Sequence, residues 1–215
     1  MSSKAGLRES KKSGTRAALI ECALDLEQER GYHGFTISEL VDRAGVSRRT
    51  FSNYFAGKAE CLAAVGDGWM EAALQLVDAR SPAVALPDLL REVLENFAEQ
   101  IASSPTSFIA IRGSEPEMVA ATNAADTVHA ERIATVISQR TGVDVNDVRV
   151  PLLASFCLAA GRSCIGRWVA QNRAGGQAGL AKELDSAFSL IDFSRLVQVR
   201  WNTPASGPAH CAGTL

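Results

Sequence analysis

Apolar residues recur at helical spacing along nearly the whole chain, and the interruptions fall at glycine and proline. Leu19, Ile20, Ala23, Leu24 and Leu26 form one stripe, which predicts a helix from Thr15 to Arg30 closed by Gly31. A second pattern, Leu62, Val65, Trp69, Leu74 and Val77, predicts a helix from Lys58 to about Arg80, with Gly66 and Gly68 as a place for a kink. Pro87 suits the first turn of a helix reaching Ser103, with Leu89, Leu90, Val93, Leu94, Phe97 and Ile101 inward. Short and long helices follow over Thr106 to Arg112, Pro116 to Thr141, Val148 to Asn172 and Leu180 to Val199. No alternating β-branched runs joined by hairpin turns occur. The pattern therefore predicts an all-α chain of about nine helices.

The stretch FTISELVDRAGVSRRTFSNYFAGK, from Phe35 to Lys58, carries the densest local signals. Thr36 with Glu39 makes a capping box, and Phe35 with Leu40 can staple it. Ile37, Leu40, Val41 and Ala44 share one face of the helix that follows. Gly45 stops that helix at low cost because the left-handed conformation is open to it. Ser47 caps a second short helix from Arg48 to about Tyr54. Val46, Phe51 and Phe55 are the residues this unit would bury. Arg48, Arg49, Ser52 and Asn53 remain outside with Tyr54 and Lys58. Such a polar, cationic surface on a helix joined by a tight turn to another is what a DNA major groove requires. Arginine can bond both acceptors of a guanine edge, and hydroxyl or ammonium groups suit phosphate.

Charge sharpens this reading. The chain carries −2 overall, but residues 1 to 58 sum to +3 and the remainder to −5. A cationic N-terminal part on an acidic body suits a nucleic-acid partner for the former. Lys4, Arg8, Lys11, Lys12 and Arg16 oppose only Glu9, the composition of a solvated arm that can touch phosphate or the minor groove. The polar, charged beginning is not a secretory leader, and the longest apolar run, Val150 to Gly161, is too short to span a membrane. Five cysteines, Cys22, Cys61, Cys157, Cys164 and Cys211, form no C-x-x-C pair and fit packing in a reducing cytoplasm. His33, His129 and His210 belong to no metal-ligand pattern. His129-Ala130-Glu131 matches the start of a zinc deaminase signature whose Pro-Cys-x-x-Cys half is absent. The RAGGQAG segment near Gly175 lacks the preceding strand and the lysine of a phosphate loop. No catalytic constellation, cofactor motif or metal site is expected.

The run from Ile20 to Lys58 resembles the DNA-binding domain of TetR-family transcriptional regulators. Ile20, Cys22-Ala23, Leu26, Gly31-Tyr32, Thr36-Ile37, Leu40, Ala44-Gly45-Val46-Ser47, Thr50-Phe51, Tyr54-Phe55 and Lys58 carry the likeness. Glu27 departs from it, standing where the family has a large aromatic, and so does Phe35, where a small or hydroxyl residue is usual.

The resemblance implies an N-terminal three-helix helix-turn-helix domain and a C-terminal helical domain for ligand binding and dimerisation. The expected division is a flexible basic arm over 1–14, the DNA-binding domain over 15–58, the effector-binding and dimerisation domain over 59–200, and a disordered tail over 201–215. It implies a repressor that binds a palindromic double-stranded operator as a homodimer and is released by a small, largely apolar effector. Base edges would be read by Arg48, Arg49, Ser52 and Ser38. Phosphates would be held by Thr36, Thr50, Asn53, Tyr54 and Lys58. An effector would be surrounded by Trp69, Phe97, Ile101, Phe108, Ile111, Met118 and Trp168, with polar contacts from Arg112, Asn123 and His129, although packing alone would explain any one of them. Dimerisation would use Ala154, Leu158, Gly161 and Ile165 with Leu184, Ala187 and Ile191. Two alternatives stay open at this point: a helical DNA-binding protein without an effector, and, against the missing constellation, a helical enzyme.

Overall fold

A computed structural model describes residues 3–81 and 83–190. The described residues form ten α-helices and one 3-10 turn and contain no strand. The first helix, α1, spans Ser3–Arg30. It takes in most of the segment expected to be a flexible arm; SKAGLRESKK contains no proline, and most of its residues favour helix. Leu19, Ala23 and Leu26 are its buried stripe. Gly31, at φ 73°, ends it in the conformation that only glycine adopts freely, and a 3-10 turn follows over Tyr32–Gly34.

Helix α2 spans Ile37–Arg43 with its capping box complete: Glu39 N–H donates to the Thr36 hydroxyl and Thr36 N–H to the Glu39 carboxylate. Gly45 N–H reaches the Asp42 carbonyl and Val46 N–H the Val41 carbonyl, the paired bonds of a Schellman turn. Helix α3 then spans Arg48–Ser52, capped by the Ser47 hydroxyl on Thr50 N–H. The buried side is Leu40, Val41, Phe51 and Phe55, packed against Leu19, Ala23 and Leu26.

The helix expected from Lys58 to Arg80 is two helices, α4 (Lys58–Ala63) and α5 (Val65–Ala79), broken at Ala64 rather than at Gly66 or Gly68. Both glycines lie inside α5, and Gly66 is buried. Helices α6 (Leu86–Ser103), α7 (Thr106–Ser114), α8 (Pro116–Thr141), α9 (Arg149–Ala170) and α10 (Gly176–Phe188) complete the body. Proline opens α6 and α8, and Gly142 at φ 70° closes α8. The RAGGQAG connection is pinned at its first residue. Arg173 stacks over Trp168 at 4.6 Å and donates to the Ser104 and Ala102 carbonyls and the Thr106 hydroxyl. The expected end of the last helix, Ile191 within it, and the 201–215 tail lie outside the described residues. None of the described helices is long and apolar enough to cross a membrane.

Head and body share one core. Cys61, Leu62 and Ala64 join the head cluster to Trp69, Phe108 and Met118. Polar ties cross the same junction: Tyr32 hydroxyl to Glu117 at 2.6 Å, His33 to Glu115 at 3.1 Å, and Ser107 hydroxyl to Glu27 at 3.0 Å. Glu27, the departure from the family pattern, is 1 % exposed. Burial pushes its carboxyl up, and only one of its oxygens finds a donor.

Candidate nucleic-acid interface and body cavity

The turn chemistry of the head decides which cations stay outside. Arg30 is tied to Glu39 at 2.8 Å, Arg43 to Glu29 at 2.7 Å and Arg16 to Asp67 at 2.5 Å. Arg48 and Arg49, exposed on the first turn of α3, have no ion-pair partner among the described residues. Ser38 and Ser52 are exposed on the same unit, and the Ser52 hydroxyl donates to the Arg48 carbonyl at 3.1 Å. Thr36 and Thr50 take part in the two caps, Asn53 caps the end of α3, and Tyr54 is half-buried beside Phe55.

Lys58 stands apart from the phosphate set assigned to it. Its ammonium donates to the Tyr32 and Phe35 carbonyls at 2.5 and 3.0 Å and sits over the two rings at 4.4 and 4.8 Å. Burial lowers its pKa, against the pull of Glu117 and Glu115. The ammonium is committed to closing the head, and Phe35, the second departure from the family pattern, is half of the cradle that holds it.

Behind the head, α5 to α10 enclose a cavity of about 510 Å³. Of the residues expected around an effector, Trp69, Phe97, Ile101, Arg112 and His129 line it. Five expected lining residues do not. Phe108 and Met118 are fully buried in the core, Trp168 is 1 % exposed beneath Arg173, and Ile111 packs against the core from its edge. Asn123 faces outward and accepts from Arg162 at 3.0 Å. The wall is completed by residues that the helical stripes did not single out for it, among them Leu89, Leu94, Ile109, Ile137, Leu153, Cys157, Leu184 and Phe188, with Thr122, Asp126 and Arg162 as polar members. Their spacing marked them as apolar or polar, but not which neighbour each would face.

A chain of ionic contacts runs from this cavity to the head. His129 Nε2 bonds Asp67 Oδ1 at 2.9 Å, and the other Asp67 oxygen takes Arg16 of α1. His129 Nδ1 faces Asp126 at 3.8 Å, and Asp126 in turn holds Arg162 of α9. Asp126 and Asp67 raise the imidazole to about 9 against the effect of burial, so His129 is an imidazolium at neutral pH. Burial pushes the Asp67 carboxyl up, but His129 and Arg16 more than offset it and hold it below its ordinary value.

The stripe assigned to dimerisation points inward. Ala154 and Leu184 are fully buried, and Leu158, Gly161 and Ile165 line the cavity. Ala187 packs against the core, and Ile191 lies outside the described residues. The opposite side of α9 carries the exposed apolar groups: Leu152 is 58 % and Phe156 39 % exposed, with Ala159 and Ser163 continuing the face. Phe156 also meets the Phe188 ring of α10, centroids 6.1 Å apart.

Among the described residues no cluster of three metal-ligating side chains occurs. Cys22, Cys61, Cys157 and Cys164 are free thiols, and burial pushes Cys61 and Cys157 up to about 12.

Comparison with known proteins follows this division of the chain. The profile of bacterial regulatory proteins of the tetR family matches residues 19–65, and that of the MftR C-terminal domain, from the same family, matches residues 109–193. The chain belongs to the TetR family. It is therefore a DNA-binding transcription regulator and not an enzyme. The HTH-type transcriptional regulator CymR of Pseudomonas putida is 34% identical over 86 residues, a match that covers 40% of this chain and only 42% of CymR. TcmR of Streptomyces glaucescens is 28% identical over 174 residues, 76% of each protein. Among solved structures, the TetR-family repressor FadR of Thermus thermophilus, in complex with lauroyl-CoA, superposes with a TM-score of 0.57 at 23% identity, covering 90% of this chain and 98% of FadR.

Proposed function

We propose that this TetR-family chain is a homodimeric repressor that reads a palindromic operator and is released when a small, largely apolar molecule occupies the body cavity. The observation that carries the reading is the charge arrangement of the head. Neighbouring arginines are neutralised by carboxylates, whereas Arg48 and Arg49 are exposed on α3 with no ion-pair partner among the described residues. Leaving two guanidiniums free there is what base recognition requires. Ser38 and Ser52 would add contacts to base edges, and Thr36, Thr50, Asn53 and Tyr54 would meet phosphate.

One short recognition helix supplies little affinity. Two, related by a two-fold axis, read half-sites about 34–36 Å apart or a multiple of that. The exposed Leu152–Phe156 face of α9 supports a dimer built there, because an apolar strip on a soluble chain is stabilised by a partner. The apolar cavity supports a release mechanism, and the FadR complex with lauroyl-CoA shows that a protein of this fold accommodates an acyl compound. An occupant that favours one head spacing over another by about 1–3 kcal/mol would change operator affinity some 5- to 150-fold. The Arg16–Asp67–His129 contacts offer a route between cavity and head. Selection of bound duplexes from a random pool tests the reading. Recovery of an inverted repeat is expected, and recovery of unrelated sequences would overturn it.

A further inference from the structure

The polar end of the cavity contains a cation that the protein itself does not satisfy. The Arg112 guanidinium lies over the Trp69 ring at 5.0 Å and the Phe108 ring at 5.6 Å. It approaches α5 where Gly66 has no side chain: a methyl there would lie 3.4 Å from Nη2. Its one hydrogen bond among the described residues runs from Nη1 to the Ala63 carbonyl, at 3.4 Å. Among the described residues no carboxylate comes within ion-pair distance of it. Asp126 is engaged by Arg162, and Asp67 by Arg16 and His129. Most of the guanidinium N–H donors thus reach no protein acceptor. A buried cation with no carboxylate in direct contact is costly, and burial depresses the Arg112 pKa although Asp126 and Asp67 act against this from farther off.

A second atom in the same wall is also unsatisfied. Thr122 is 5 % exposed, and its hydroxyl is buried without a partner. Thr122, Asp126 and His129 recur at helical spacing on α8, so they present one face to the cavity that Arg112 enters from α7. Arg112, Arg162 and protonated His129 meet two carboxylates, Asp126 and Asp67, and Asp67 is shared with Arg16, so positive groups outnumber negative ones at this end of an otherwise apolar space.

We propose that the cavity binds an apolar molecule ending in a carboxylate, with Arg112 as its counter-ion and Thr122 as a further donor. The proposal rests on the reading of the cavity as an effector site and adds the chemistry of the occupant. A carboxylate accepts the paired N–H groups of an arginine, which a hydroxyl cannot do and an ammonium opposes. The chain of the ligand would lie against Leu89, Leu94, Phe97, Ile137 and Leu153.

Calorimetric titration of the full-length protein with decanoate, decan-1-ol and decylamine, each below its micellar concentration, tests this. Decanoate is expected to bind about tenfold or more tightly than the alcohol, with the amine weakest. In Arg112→Met, decanoate should fall to the affinity of the alcohol while the alcohol itself is unchanged. Thr122→Val should weaken decanoate several-fold and leave the alcohol alone. Arg112→Lys, which keeps the charge should the methionine variant not fold, should retain only part of the preference. A wild-type protein that holds the alcohol as tightly as the carboxylate would overturn the carboxylate assignment while sparing the cavity as an effector site. An Arg112→Met protein that keeps the preference, or a lysine variant equal to wild type, would remove Arg112 from it. Saturable binding of none of the three probes would overturn both the carboxylate and the effector site.

Discussion

Raising the pH past the titration of His129 should cost the protein measurable stability, and the structure sets the size of the loss. The imidazole is 7 % exposed, between Asp126 and Asp67. Its folded pKa stands at about 9 against an ordinary 6.5. At about 1.4 kcal/mol per tenfold, that difference is worth roughly 3 kcal/mol of folding free energy. The sign follows from the direction. Below pH 6.5 the group is protonated whether the chain is folded or not, and the contribution is complete. Between 6.5 and about 9 only the folded protein holds the proton, and the contribution drains away as pH rises. The assay is urea unfolding across this range at one fixed protein concentration, for wild type and His129→Gln. Lost packing offsets the variant by a constant, so the slope is the informative quantity. The stability gap between the proteins should shrink by about 3 kcal/mol from the acid to the alkaline end. A gap that stays constant across the range would refute the reasoning, because it would mean that His129 is neutral in the fold.

Other consequences follow from single contacts. Arg49→Ala should cost about 1–3 kcal/mol on the selected operator and much less on random duplex, read by titration of both; equal losses would remove Arg49 from base reading. Lys58→Met should lower the unfolding free energy of the head by about 1–3 kcal/mol while leaving the slope of DNA affinity against salt unchanged; a flatter slope would restore the phosphate contact. Thr36→Ala removes the capping box and should destabilise by about 1 kcal/mol in urea, and no measurable change would show that the cap contributes nothing. Phe156→Glu places a charge on the exposed face of α9 and should shift sedimentation from dimer to monomer; a variant that stays dimeric would move the interface elsewhere.

Local chemistry made the helix-turn-helix readable without coordinates. The cap at Thr36, the stop at Gly45, the second cap at Ser47 and the free side of α3 each depend on residues within one or two turns of one another. The same holds for most helix boundaries, where Pro87, Pro116 and Gly142 act on their own neighbourhood. The inward contacts of Lys58 were not legible in the sequence, because its partners, the carbonyls and rings of Tyr32 and Phe35, are supplied by a distant segment. The α9 stripe shows a different limit. Helical spacing separates the two sides of a helix but does not say which one meets the body, and here Ala154, Leu158 and Ile165 turn inward while Leu152 and Phe156 turn out.

By itself, then, the sequence determined the all-helical class, the reading head and the family, because caps, turns and apolar periods are short-range chemistry. The tertiary structure alone decided the cavity wall, the isolation of Arg112 and the Arg16–Asp67–His129 chain. Those depend on which charges meet across α1, α5, α7 and α8, and the burial that makes such a meeting matter is a property of the packed molecule.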